Sequence, residues 1–125
     1  MADESIIDRI AARGNSRWVS VEYFPPKTET GVKNLMHTVE NLHLYNPVFS
    51  DFTWGAGGST SELTVELCER TKLELNATPN MHLTCTNMES EKIDVALDRL
   101  KRNGIVNVFA LRGDPPVGQG KLGCI

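Results

Sequence analysis

The sequence predicts an α/β protein built on a parallel sheet. Three observations support this: four short segments rich in β-branched and aromatic residues, helical apolar spacing between them, and a repeat of roughly 30 residues. Alternating units of this kind are joined by right-handed crossovers, so their strands run parallel. An open doubly wound sheet and a (β/α)8 barrel share the pattern, which leaves both open. A complete barrel needs about 250 residues, so this chain of 125 residues could hold only half of one.

The first half of the chain is predicted to contain two helices and two strands. Apolar residues at helical spacing predict a helix over residues 3–13 that stops at Gly14. Residues 18–24 predict a strand, which two prolines end. An i, i+3, i+4, i+7 pattern predicts an amphipathic helix over residues 30–45, and residues 48–54 predict the second strand.

The second half continues the alternation. Three hydroxyl residues at 59–61 are candidate N-caps for a helix that runs to about residue 71. Residues 80–85 predict the third strand and residues 89–102 the next helix. Residues 106–111 predict a fourth strand that is buried on both faces, because they are mostly apolar.

Composition and charge limit the class of function. The net charge of −3 does not suggest a nucleic-acid partner, and no apolar run reaches the roughly 18 residues of a membrane span. The N-terminal residues resemble neither a signal peptide nor a mitochondrial leader. The cysteines are odd in number and far apart, which argues against a disulfide framework and for a reducing, cytoplasmic location. They are Cys68, Cys85 and Cys124.

Polar residues gather where the predicted strands end, which is the edge where parallel α/β folds bind ligands. Between apolar neighbours, Glu22 would have a raised pKa and suit a general acid, unless it faces solvent. Thr53 could hydrogen-bond a ligand or simply favour a strand. His82 could contact a phosphate or a ring, or be a core histidine with internal partners.

The fourth strand ends in a charged turn. Arg112 can bind a phosphate or carboxylate, Gly113 permits close approach of a ligand, and Asp114 points to whatever lies above the strand end. A surface Arg–Asp pair is the alternative. The glycine-rich residues 55–58 resemble a phosphate-binding loop but lack the spacing of a nucleotide motif. No metal-ligand spacing or nucleophile signature is present, and Cys85 is predicted to be a small apolar strand residue.

Four strand-end motifs, taken in order, resemble those of the methylenetetrahydrofolate reductase family in its eukaryotic type. They are EYFPPKT at 22–28, DFTW at 51–54, HLTCTNM at 82–88 and ALRGDPP at 110–116. The resemblance extends over nearly all of residues 18–119. It implies the first half of a (β/α)8 barrel and an FAD-dependent enzyme of one-carbon and methionine metabolism. Such an enzyme reduces 5,10-methylenetetrahydrofolate to 5-methyltetrahydrofolate with NAD(P)H.

The resemblance also implies roles for single residues. Glu22 matches the general acid that protonates the folate. Asp114 matches a second catalytic residue, close to the flavin and the folate. The positions that match FAD contacts are Thr53, His82, Arg112, Gly113 and Asp114.

The family barrel is longer than this chain. We therefore expect a helical region at 1–17, a four-stranded partial barrel at 18–117 and a divergent tail at 118–125. The open edges would be covered by a second copy or a partner chain, and little reductase activity is expected of the chain alone. A non-catalytic half-barrel that acts as a scaffold or interaction subunit is the alternative.

Overall fold

The computed structural model describes residues 5–54, 61–85 and 88–113. Helices and strands alternate along the chain in the predicted order. The elements are α1 (Ile6–Ala12), β1 (Val21–Tyr23), α2 (Glu29–His43), β2 (Ser50–Phe52), α3 (Ser61–Leu75), β3 (Pro79–Thr84), α4 (Ser90–Arg102) and β4 (Val108–Leu111).

The four strands form one parallel sheet in the order β1-β2-β3-β4. A doubly wound sheet reverses its strand order at a switch point, whereas a barrel adds each new strand beside the last. The observed order therefore decides between the two architectures that the sequence pattern left open. The described chain is an α/β half-barrel of the (β/α)8 type.

The strands are shorter than their apolar segments. β1 occupies three residues of the predicted 18–24, although the Val48 amide still donates to the Val19 carbonyl at 2.8 Å. The two segments are therefore already hydrogen-bonded before the regular strands β1 and β2 begin. β3 ends at Thr84, so the prediction that Cys85 is an apolar strand residue is wrong, and its side chain is exposed.

Local signals explain the helix boundaries. The Thr28 hydroxyl accepts a hydrogen bond from the Gly31 amide at 3.0 Å, which caps the first turn of α2. At their carboxyl ends, α2 and α3 are followed by asparagines with left-handed backbone, Asn46 at φ 55° and Asn76 at φ 51°. The predicted end of α3 near residue 71 is therefore one turn too early.

The core lies between the sheet and helices α2, α3 and α4. Tyr23, Phe52 and Met81 point from the strands into this layer, where Val39 and Leu67 meet them from the helices. Phe52, Met81 and Leu67 are completely buried. The apolar periodicity of the helices thus covers one face of the sheet.

The opposite face of the sheet is open to solvent in the described part of the chain. Phe109 of β4 keeps 54% of its surface exposed, and Glu22 of β1 is also exposed. The prediction that the fourth strand is buried on both faces is therefore wrong. β4 has β3 as its strand neighbour on one side, and among described residues nothing packs over its open face.

Helix α1 is fastened to the amino end of the sheet. The Ile6 amide donates to the side-chain oxygen of Asn107, just before β4, at 3.0 Å. The Arg9 guanidinium donates to the Val48 carbonyl, just before β2, at 2.7 Å. Both contacts lie at the end of the sheet away from the strand-end motifs, so α1 leaves that edge clear.

No helix in the described ranges is both long and apolar enough to cross a membrane.

Candidate active site at the carboxyl ends of the strands

The open face of the sheet is polar because polar and apolar residues alternate along its strands. Glu22 pairs with Asp51, and Asp51 pairs with Asn80, so these three residues form one row across β1, β2 and β3. His82 follows two residues after Asn80 and lies on the same face. We call Asp51, Asn80 and His82 the strand-end cluster.

Hydrogen bonds join the members of the strand-end cluster. The side-chain amide of Asn80 donates from Nδ2 to Asp51 Oδ1 at 2.6 Å, and His82 Nε2 lies 3.0 Å from the same oxygen. The side chains of Asp51 and His82 are 17% and 16% exposed. One carboxylate oxygen therefore links two side chains of the neighbouring strand in a half-buried setting, where such bonds are stronger than in water.

Phe109 completes the surroundings of the imidazole. Its ring meets the His82 ring edge to face, with centroids 5.1 Å apart. The two residues are also paired in the register of β3 and β4. His82 is thus held by a carboxylate from one neighbouring strand and by an aromatic ring from the other, which restricts its rotation.

Glu22 lies beside the cluster without joining it. It is exposed, and no hydrogen bond or ion pair connects its carboxylate to another residue of the described part of the chain. The apolar, buried setting predicted for Glu22 is wrong, because Val21 and Tyr23 point to the other side of the strand. The solvent-facing interpretation describes it correctly.

Thr53 follows β2 and is half-buried. Its amide donates to the Tyr23 carbonyl at 3.1 Å, and its carbonyl accepts from the Thr64 hydroxyl of α3 at 2.9 Å. The backbone at this strand end is therefore fixed from both sides. Within the described ranges the Thr53 hydroxyl has no hydrogen-bond partner, so it remains available to a ligand.

The turn after β4 is described as far as Gly113. The Thr84 hydroxyl donates to the Arg112 carbonyl at 2.6 Å, and the Arg112 side chain is exposed. Gly113 has φ 77°, a backbone conformation that favours glycine. The predicted site residue Asp114 and the glycine-rich residues 55–58 lie outside the described residues.

Metal ligands and a reactive thiol are the other groups that could carry chemistry in this fold. The described ranges contain no group of three or more His, Cys, Asp or Glu side chains that could hold a metal ion. Cys68 is completely buried, and burial raises the pKa of its thiol, so it is a poor nucleophile. The strand-end cluster itself offers hydrogen-bonding groups and an aromatic contact.

A separate groove of about 470 Å³ lies between the amino-terminal halves of α3 and α4. Its lining includes Trp54, Glu62, Glu91, Lys92 and Arg99. None of the strand-end cluster residues lines it. We place the candidate site at the strand-end cluster, where three side chains are bonded to one another on the sheet itself. In the groove, Arg99 is bonded to Glu69, which lies outside the lining.

Sequence reasoning missed Asp51, Asn80 and Phe109 as parts of the site. The signal that could have found them is the alternation of polar and apolar residues along each strand. In β3, for example, His82 lies between the buried Met81 and Leu83. That alternation predicts a polar open face. It does not predict the register that brings Asp51 to His82.

Known proteins show extensive sequence similarity to this chain. The family model described as methylenetetrahydrofolate reductase matches residues 6–123. A Zea mays protein named "Methylenetetrahydrofolate reductase (NADH) 1" is 53% identical over 119 residues, which are 94% of this chain and 20% of the relative. A protein of the same name from Arabidopsis thaliana is 57% identical over 103 residues, which are 82% of this chain and 17% of the relative.

A bacterial relative is more distant. The "5,10-methylenetetrahydrofolate reductase" of Escherichia coli strain K12 is 31% identical over 103 residues, 82% of this chain and 35% of the relative. The chain thus spans 17–20% of the plant relatives' length. The family match covers most of the chain and includes the strand-end cluster. The chain therefore belongs to the methylenetetrahydrofolate reductase family, and its relatives of higher identity are of the eukaryotic type.

Proposed function

We propose that this chain carries the strand-end half of an FAD-dependent reductase site. The reaction is the reduction of 5,10-methylenetetrahydrofolate to 5-methyltetrahydrofolate with NAD(P)H, in cytoplasmic one-carbon and methionine metabolism. The observation that carries the proposal is the strand-end cluster, held beside Phe109 at the ligand-binding edge of the half-barrel. The family membership supplies the reaction.

The residues present fit a flavin. Phe109 offers an exposed aromatic surface, and His82 and Thr53 offer polar groups at the same edge. Arg112 supplies a cation suited to phosphate, and the backbone at Gly113 has no side chain to obstruct a close approach. We include Asp114 among the FAD contacts by its position in the family motif. When bound, FAD supplies hydride transfer between the nicotinamide and the folate.

Glu22 is the proposed proton donor. Protonation of a folate nitrogen lets the five-membered ring open to an electrophilic iminium, so an acid must reach the substrate. Glu22 is exposed and shares no hydrogen bond with another described residue, so a substrate above the open face of the sheet could reach its carboxyl group. Asp51, the neighbouring carboxylate, is already bound to Asn80 and His82 and is less suited to that role.

The proposal is tested by cofactor uptake. The chain is incubated with FAD and separated on a sizing column, and the visible spectrum of each peak is recorded. Flavin bands that elute with the chain support the proposal, and any bleaching by NADH should be slow, because little reductase activity is expected of the chain alone. NADH is the first donor to try, because the names of the plant relatives specify it. His82→Ala should lose the bands, while Lys101→Ala, an exposed change on α4, should keep them.

A non-catalytic interaction subunit is the second candidate. The exposed Phe109 and the open face of the sheet favour it, because such surfaces attract partner chains. A colourless chain at saturating FAD that assembles with a protein partner would support this candidate and contradict the first.

A further inference from the structure

We propose that Asp51 is a positioning residue that fixes the tautomer of His82. It holds the imidazole proton on Nε2 and so leaves Nδ1 as the hydrogen-bond acceptor offered to a ligand. The assignment of that ligand as a flavin rests on the proposed function. The tautomer itself follows from contacts within the chain.

The contact geometry determines which nitrogen carries the proton. His82 Nε2 lies 3.0 Å from Asp51 Oδ1. An ionised carboxylate can only accept hydrogen bonds, so a neutral imidazole must donate from Nε2. The proton of a neutral histidine is on one nitrogen at a time, and Nδ1 therefore keeps its lone pair.

The carboxylate is itself held in place. Asn80 donates to the same Asp51 oxygen at 2.6 Å, and the two residues are paired in the register of β2 and β3. Rotation of the carboxylate away from His82 would break this second bond as well. Phe109 fixes the plane of the imidazole from the other side. The orientation of His82 is thus set before any ligand arrives.

The free nitrogen defines what the ligand must offer. Within the described part of the chain, no residue hydrogen-bonds to His82 Nδ1. An acceptor at this position selects a ligand edge that carries an N–H or O–H donor. A flavin offers such donors at its pyrimidine N3–H and at its ribityl hydroxyls. Asp51 would then favour binding through His82 without touching the flavin itself.

The test is a nuclear magnetic resonance measurement of the tautomer in the full chain. The chain is labelled with 15N-histidine, and long-range 1H–15N correlations are recorded at a pH where imidazole is neutral. The chain has three histidines, and the signals missing in His82→Gln identify His82. We expect a protonated Nε2 and an unprotonated Nδ1 at this residue.

Two variants distinguish the hydrogen bond between Asp51 and His82 from the negative charge of a carboxylate on this face. In Asp51→Asn the side-chain amide can donate as well as accept, so the His82 preference should become a mixture of tautomers. Glu22→Gln removes the same charge from the same face of the sheet and serves as the matched control. It should leave the His82 tautomer unchanged. Backbone amide spectra show whether each variant is folded.

The outcomes decide the proposal independently of enzyme activity. A proton on Nδ1 of the parent chain, or a tautomer that Asp51→Asn does not change, would overturn it even if Asp51→Asn alters other properties. With FAD added, we expect the Nδ1 resonance to shift and Asp51→Asn to weaken binding roughly 2-fold, because about half of an equal tautomer mixture keeps Nδ1 as an acceptor. Bound FAD without a Nδ1 shift would overturn the ligand-facing role. If no FAD binds, the proposed function fails while the tautomer result still decides the role of Asp51.

Discussion

Glu22 of β1 and Asp51 of β2 are paired in the parallel sheet, yet their carboxylates have opposite surroundings. Asp51 accepts hydrogen bonds at 2.6 Å and 3.0 Å from the next strand, while Glu22 has no such partner among the described residues. The Asp51 carboxylate thus holds neighbouring side chains of the site in place. The Glu22 carboxylate remains available to a ligand at the same edge of the sheet.

The first prediction concerns Glu22 as a proton donor. In the flavin-loaded protein, Glu22→Gln should leave reduction by NADH unchanged, because that step needs no acid. Reoxidation by 5,10-methylenetetrahydrofolate should slow by about 10²–10⁴-fold, the usual contribution of a general acid. Stopped-flow absorbance measures the two half-reactions separately. Equal slowing of both would show that Glu22 acts on the flavin site as a whole.

The second prediction compares the two carboxylates in stability. Asp51→Ala removes the acceptor of Asn80 and His82, so the free energy of unfolding should fall by about 1–3 kcal/mol. Glu22→Ala should change it by less than about 0.5 kcal/mol, because the side chain is exposed and makes no described contact. Urea denaturation measures both. Equal losses would contradict the structural role assigned to Asp51.

The third prediction concerns the cap of α2. Thr28→Ala removes the hydroxyl that accepts from the Gly31 amide and should lower the free energy of unfolding by about 1 kcal/mol. Thr30→Ala is the matched control, since Thr30 is an exposed residue within the first turn of the same helix. Its effect should stay below about 0.5 kcal/mol. Similar losses in both variants would mean that helix propensity outweighs the cap.

The fourth prediction is a loss of stability at alkaline pH. Burial raises the pKa of Cys68 above its ordinary value of 9.0 and that of Tyr23 above 10.0. Well below pH 9 both groups are protonated whether the chain is folded or unfolded, so they add no pH dependence there. As pH rises past each ordinary pKa, the unfolded chain releases that proton first, so the free energy of unfolding falls. The slope for each group is at most about 1.4 kcal/mol per pH unit.

Cysteine variants test this assignment. Cys68→Ala should remove the part of the slope that begins near pH 9, whereas Cys85→Ala, at an exposed position, should not. Urea denaturation between pH 7 and pH 11 measures the slope. An unchanged slope in Cys68→Ala would mean that another group titrates on unfolding.

Local sequence signals were enough to predict the order of the elements. The spacing over residues 30–45 predicts an amphipathic helix, and Met36 and Val39 on its apolar face are buried in α2. Gly14, after α1, adopts the left-handed backbone expected of a helix stop. These features depend on residues close together in the chain. Strand lengths were less predictable, because a strand extends only as far as its neighbours offer partners.

The site could be predicted only in outline. The resemblance pointed to Glu22 and His82, but the exposure of Glu22 depends on which face of β1 the helices cover. The bond between Asp51 and His82 joins residues 31 positions apart and depends on the register of two strands. A one-residue shift in that register would place them on opposite faces. Tertiary structure was needed to assign Asp51 its role.

The most direct test of the central claim is to locate bound FAD on the chain. Backbone and histidine resonances of the labelled chain are compared with and without FAD. We predict shifts at Thr53, His82 and Gly113, around the strand-end cluster, and none at Glu91 or Lys92 in the groove between α3 and α4. Shifts confined to that groove, or no shifts at saturating FAD, would contradict the claim that the open face of the half-barrel is the cofactor site.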